Sequence, residues 1–247
     1  MKTIRPLSRL STVLFLLCTI AVCADTATSS TPPRPALATL KAEQAALTPV
    51  QVLESLRLGN ERFVSGKPRA RDTLHDQRTT AAGQYPHAVV LSCIDSRAPA
   101  EIVFDAGIGD IFNARIAGNI ADNDLVGSME FACAVSGAKL VLVMGHTNCG
   151  AIKGAIDRVQ LGNLTGLLKK IDPAVASVRD VPGERNSKNK KFVEAVAEAN
   201  VRLTVERIRK LSPILSDMEK AGKIEITGCI YDLETGRVRF LPREEHP

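Results

Sequence analysis

The sequence predicts an α/β domain: a mainly parallel central sheet with helices on both faces and an antiparallel strand at its C-terminal edge. Three observations carry this. The runs Ala88-Val89-Val90-Leu91 and Leu140-Val141-Leu142-Val143-Met144 have the length and β-branched content of strands buried on both faces. Strand patterns alternate with helical ones, the arrangement that gives a parallel, helix-covered sheet. Finally, Ile230-Tyr231-Asp232 to Gly236-Arg237-Val238-Arg239-Phe240 reads as a hairpin, so its last strand runs antiparallel.

Taken in order, the chain begins with Lys2, Arg5 and Arg9 ahead of the apolar run Leu10 to Val22 and the small residues near Ala21-Val22-Cys23-Ala24. This is the make-up of a secretory signal over residues 1–24, with a secreted or periplasmic product. The run falls short of the roughly 20 residues that cross a bilayer, which argues against a permanent membrane span. Val22 stands where a lipid-attachment sequence carries a small residue, so lipidation at Cys23 is left open. Residues 25–45, rich in Thr, Ser and Pro at their start, are expected as a flexible linker, and residues 46–247 as the domain. Thr48 caps a helix with Pro49 in its first turn and Val52, Leu56 and Phe63 on one stripe, ending at Ser65-Gly66. Strands are expected at about 87–93, 111–116, 139–145 and 223–230. Helices are expected over 124–136, 151–160 and 189–211, the last stopped by Ser212-Pro213. Neither an internal repeat nor a second domain boundary is visible.

The chain has 247 residues, 45% apolar and 24% charged, an ordinary globular composition. Its formal charge of +5 falls to +2 once the three bases of the signal are removed. The remaining basic run, Arg185 to Lys191, lacks aromatics and precedes a helix, so it reads as a solvated loop and implies no nucleic-acid partner. Gly107-Ile108-Gly109-Asp110 precedes a strand and is a turn, not a phosphate cradle. Of the six cysteines, Cys18 and Cys23 lie in or beside the signal's apolar run and would leave with it. The other four could form two disulfides in an exported protein. Cys133 lies on a helix stripe and Cys229 in a strand, however, where both read as small buried apolar residues. A Cys93–Cys149 disulfide remains a competing reading that leaves His146, Asp95 and Arg97 without a role.

The chemistry concentrates in two strings, Cys93-Ile94-Asp95-Ser96-Arg97 and Gly145-His146-Thr147-Asn148-Cys149-Gly150, each following a buried strand. Carboxyl ends of strands are where open parallel sheets bind ligands. Cys93, His146 and Cys149 there would form a three-ligand zinc set with its fourth position open, as in catalytic zinc. Such zinc acidifies a bound water into a nucleophile. Two thiolates make it less acidic than an all-histidine site would, so activity should rise on the alkaline side. Asp95 can accept a hydrogen bond from that oxygen and Arg97 can hold Asp95.

At these residues the chain resembles the β-class carbonic anhydrases, which carry Cys-x-Asp-x-Arg and, some fifty residues on, His-x-x-Cys. The likeness extends through Leu53 to Phe63, Gly83-Gln84-Tyr85-Pro86, Ala117-Gly118-Asn119 and Gly150-Ala151-Ile152-Lys153-Gly154 to the final hairpin. It implies one zinc per chain and reversible hydration of CO₂ to bicarbonate and a proton by zinc-bound hydroxide, with Asp95 and Arg97 catalytic. It further implies that Gln84 donates to bicarbonate, that Phe112, Ala117 and Phe131 line an apolar CO₂ pocket, and that the protein is a homodimer or homotetramer in which Gln84 and Phe131 can face the partner's zinc. Some relatives close the fourth position with the aspartate and carry a tryptophan three residues before the first cysteine. Here that residue is Val90 and the chain has no Trp, which favours the open, directly active type. Hydrolysis of CS₂ or COS on the same scaffold, and a non-enzymatic exported zinc-binding protein, are the alternatives.

Overall fold

Among the described residues five strands make the sheet: β1 (Ala88–Ser92), β2 (Ile111–Arg115), β3 (Leu140–His146), β4 (Glu225–Tyr231) and β5 (Val238–Phe240). Their order is β2-β1-β3-β4-β5; the first four are parallel and β5 is antiparallel to β4, as the sequence predicts. This computed structural model describes residues 37–242. The signal expected over 1–24 and the first part of the linker lie outside the described residues.

Among the described residues ten α-helices surround the sheet: α1 (Leu37–Ala46), α2 (Pro49–Val64), α3 (Thr73–Thr80), α4 (Ala100–Val103), α5 (Asn123–Glu130), α6 (Gly150–Ile156), α7 (Gly162–Lys169), α8 (Asp172–Ser177), α9 (Lys190–Leu211) and α10 (Pro213–Lys220). None of the described helices is long and apolar enough to cross a membrane. β1, β3 and β4 are buried along their whole length, and alternate side chains feed two cores. Val89, Leu91, Val141, Val143 and Ile226 pack with Val201 and Ile208 of α9 and Leu215 of α10. Val90, Leu140, Leu142 and Met144 pack with Val52 and Leu56 of α2 and with Val103 and Phe104.

α2 begins as expected. Thr48 Oγ1 accepts from Gln51 N, and Gln51 Oε1 accepts from Thr48 N, a reciprocal cap. α9 lies close against the sheet because Gly145 and Gly228 have no Cβ; one at Gly228 would stand 2.4 Å from Val201 Cγ1.

Three elements differ from expectation; the helix expected over 151–160 is α6, which ends at Ile156. Residues 37–46, expected to belong mostly to the linker, form α1. Its Leu40 and Gln44 are buried, and Gln44 Nε2 donates to Pro86 O (2.7 Å) and Ser136 O (2.8 Å). The single helix expected over 124–136 is α5 followed by a wider π-helical turn at Phe131–Val135, which an apolar stripe does not announce. Cys133 and Cys229 are free and buried as expected, and burial pushes the Cys133 thiol up to about 12.

Candidate metal centre

The sheet register places the two strings together. Ser92 ends β1 opposite Met144 of β3, so Cys93 follows β1 at the level where β3 continues to Gly145 and His146. Beyond β3, Asn148 turns the chain in the left-handed conformation (φ 56°), and Cys149 caps the N-terminus of α6. Lys153 Nζ donates to Asn148 Oδ1 and ties that turn to the helix. The ligand atoms of Cys93, His146 and Cys149 all lie within 4.8 Å of one another, and all three residues are buried. Their surroundings are apolar, including Ile120, Ile152 and Ile156.

Hydrogen bonds orient each group. His146 Nδ1 donates to Thr147 O at 2.9 Å, which leaves Nε2 with its lone pair, buried and without a partner. Thr147 is itself held by the hairpin: its N–H donates to Tyr231 O (2.9 Å) and its Oγ1 accepts from Leu233 N (3.0 Å). Gly118 N donates to Cys93 Sγ at 3.4 Å from a short 3₁₀ turn, Ala117–Asn119. Gly118 is left-handed (φ 71°), and a Cβ there would strike Ile171 Cδ1, so glycine is required on both counts.

The two sulfurs lie 3.9 Å apart and both cysteines are free. The Cys149 thiol hydrogen-bonded to Cys93 lowers the Cys93 pKa against the cost of burial, with His146 and the Gly118 amide assisting. Cys149 is pushed upward by the same shared hydrogen bond and by burial. Two sulfurs on a tetrahedral ion with bonds of about 2.3 Å would be about 3.8 Å apart. The spacing, the orphaned Nε2 and the soft donor set fit a metal ion.

Asp95 and Arg97 flank this cluster. Arg97 Nε donates to Asp95 Oδ1 (2.9 Å), Nη2 to Oδ2 (2.8 Å), and the Arg97 amide to Oδ1 (3.0 Å). That guanidinium holds the Asp95 carboxyl down to about 2. Asp95 Oδ2 lies 3.9 Å from His146 Nε2, beside the three ligand atoms but outside their group.

The sequence model of the carbonic anhydrase family matches residues 88–238, from β1 into β5. Carbonic anhydrase 2 of Mycobacterium tuberculosis is 36% identical over 195 residues, which cover 76% of this chain and 91% of that protein. The crystal structure of the β-carbonic anhydrase CafA of Aspergillus fumigatus superposes with a TM-score of 0.59 at 28% identity, covering 68% of this chain and 81% of that one. The chain belongs to the β-class carbonic anhydrases. A tetrameric β-carbonic anhydrase of Sordaria macrospora shares the fold (TM-score 0.57, 24% identity, 65% of this chain and 83% of that one).

In this carbonic anhydrase the remaining residues singled out from the sequence fall into three places. Ala117 opens the turn whose Gly118 amide reaches Cys93. Phe112 of β2 and Phe131 pack edge to face, ring centroids 6.2 Å apart, and Phe131 is half exposed. Gln84 is exposed on the loop before β1. Sequence reasoning passed over Arg115, whose guanidinium touches the main chain of both Cys93 and Asp95. It also passed over the Thr147 carbonyl and the Gly118 amide. Main-chain groups carry no residue signature, and Arg115 lies twenty residues from Asp95 with only its place at a strand end to mark it.

Proposed function

We propose that this carbonic anhydrase converts CO₂ and water reversibly to bicarbonate and a proton with one zinc per chain held by Cys93 Sγ, His146 Nε2 and Cys149 Sγ. The observation that carries the reading is the buried, partnerless Nε2 of His146 within 4.8 Å of two thiols. Thiolate and imidazole donors suit zinc and disfavour magnesium or calcium. Bound there, zinc would supply the Lewis acidity that ionises water near neutral pH for attack on the CO₂ carbon.

The chain's own groups do the rest. Asp95, kept ionised by Arg97, accepts a hydrogen bond from the attacking oxygen and turns that oxygen's lone pair toward CO₂. Arg97 engages both oxygens of the carboxylate, which would leave the fourth position of a bound metal open and so supports the open type. Phe112, Ala117 and Phe131 form the apolar wall for a substrate without a dipole, and Gln84 donates to bicarbonate. Exposure of Gln84 and Phe131 supports a homodimer or homotetramer in which they serve the partner's site. Export through residues 1–24 completes the reading.

Zinc analysis and stopped-flow CO₂ hydration from about pH 6.5 to 9 test it. One zinc per chain and a rate rising toward alkaline pH are expected. Bound zinc without hydration would redirect the activity to CS₂ or COS, and absent zinc with a Cys93–Cys149 disulfide would overturn the metal site.

A further inference from the structure

Arg115 is the last residue of β2, the edge strand, opposite Ser92. The β1–β2 ladder closes with Ile116 N donating to Ser92 O (3.0 Å), after which the chain bends into the 3₁₀ turn. The next residues after β1 are nevertheless held. Arg115 Nε donates to Cys93 O at 3.0 Å and Nη2 donates to Asp95 O at 2.6 Å. Ile94, between them, is 60% exposed and contributes little packing to fix this segment.

We propose that Arg115 is a positioning residue for CO₂ hydration: its guanidinium clamps the two carbonyls flanking Ile94 and so sets Cys93 Sγ and the Asp95 carboxylate in register. This rests on the function proposed above. The division of labour follows from where each arginine is anchored. Arg97 sits on the same turn as Asp95 and orients the carboxylate within that turn. Arg115 is anchored in the sheet and orients the whole turn relative to His146 and Cys149. The Asp95 carbonyl also accepts from Ala98 N (3.0 Å), so the turn 95–98 moves as one piece with the clamp. Two N–H groups in a rigid fork can span carbonyls two residues apart, whereas a lysine ammonium meets them as a single point.

The test compares Arg115→Lys, Arg115→Ala, Asp95→Asn and the Arg115→Lys/Asp95→Asn double variant, reading zinc content, thermal unfolding, kcat and KM, and the absorption spectrum of the cobalt-substituted proteins. Both Arg115 variants should keep zinc and fold cooperatively while kcat falls about 10- to 100-fold, the range for groups that orient a metal site, with KM little changed. The cobalt spectrum should shift, and the loss in the double variant should be smaller than the product of the single losses, because part of the clamp's effect passes through Asp95. Unchanged kcat and spectrum in Arg115→Lys, losses that multiply in the double variant, or activity lost only in step with zinc or folding would each overturn the clamp. A parent protein that holds zinc without hydrating CO₂ would refute the proposed function instead, and the cobalt spectra would still decide the role of Arg115.

Discussion

The imidazole of His146 is fixed by its own neighbour: Nδ1 donates to the Thr147 carbonyl at 2.9 Å, and Thr147 in turn is pinned to the β4–β5 hairpin through Tyr231 and Leu233. One tautomer is thereby selected, and Nε2 faces the two thiols as an acceptor with nothing to accept from.

Metal removal should therefore abolish activity reversibly. Dialysis against a strong chelator is expected to reduce hydration to the uncatalysed rate, with recovery on adding zinc and none on adding magnesium, since the donors are soft. His146→Ala and Cys149→Ser should each fail to retain stoichiometric zinc. Metal analysis beside stopped-flow rates checks both.

Asp95→Asn should separate binding from catalysis. The carboxylate lies outside the ligand group, so zinc is retained, while loss of an oriented acceptor lowers the hydration rate by about 10- to 100-fold. Arg97→Ala should act in the same direction by freeing the carboxylate to swing. An Asp95→Asn protein with full activity would remove Asp95 from the mechanism.

Acid should unfold the protein partly through Asp105. Burial opposes its charge, but Arg62 Nε, Arg71 Nη1 and the Arg69 amide all donate to it, and together they hold its carboxyl below the ordinary value. A depressed carboxyl stabilises the fold above the unfolded-state value of about 4, and that contribution is lost as pH falls through the lower folded-state value. Asp105→Asn keeps a residue tolerant of the left-handed backbone found there (φ 46°) but leaves two arginines unpaired. We expect a loss of about 3 kcal/mol at neutral pH, the lower end for breaking a buried pair, and a flatter dependence of stability on pH below about 5. Denaturant titrations at several pH values measure both.

Gly228→Ala should cost about 1–3 kcal/mol by overpacking, because the new Cβ meets Val201 Cγ1 of α9. Val201→Ala in the same chain should recover part of that loss, a coupling that chemical denaturation of the single and double variants would reveal. Additive losses would show that the cost of Gly228→Ala does not arise from its contact with Val201.

Much of this molecule was legible before any coordinates. Continuous apolar, β-branched runs placed β1 and β3 within about two residues of their ends, because strands buried on both faces are apolar nearly throughout. The Thr48-Pro49 start of α2 and the Ser212-Pro213 stop of α9 were equally readable, since caps and prolines act locally. The same strand ends pointed to Cys93, His146 and Cys149 as neighbours. Short helices such as α4, α7 and α8 were not readable, because pieces of four to eight residues are held by packing more than by their own propensity. The hold of α1 through Gln44 on Pro86 and Ser136 was hidden for a related reason: its partners are main-chain carbonyls far along the chain. The sequence by itself determined the mainly parallel sheet and its longer helices, the strand-end placement of the reactive residues and the family. Tertiary structure alone decided how those residues are aimed. The Thr147 carbonyl, the Gly118 amide and the Arg115 fork act through hydrogen bonds to main-chain or sulfur atoms, and such bonds depend on where the backbone passes in space, which no residue pattern records.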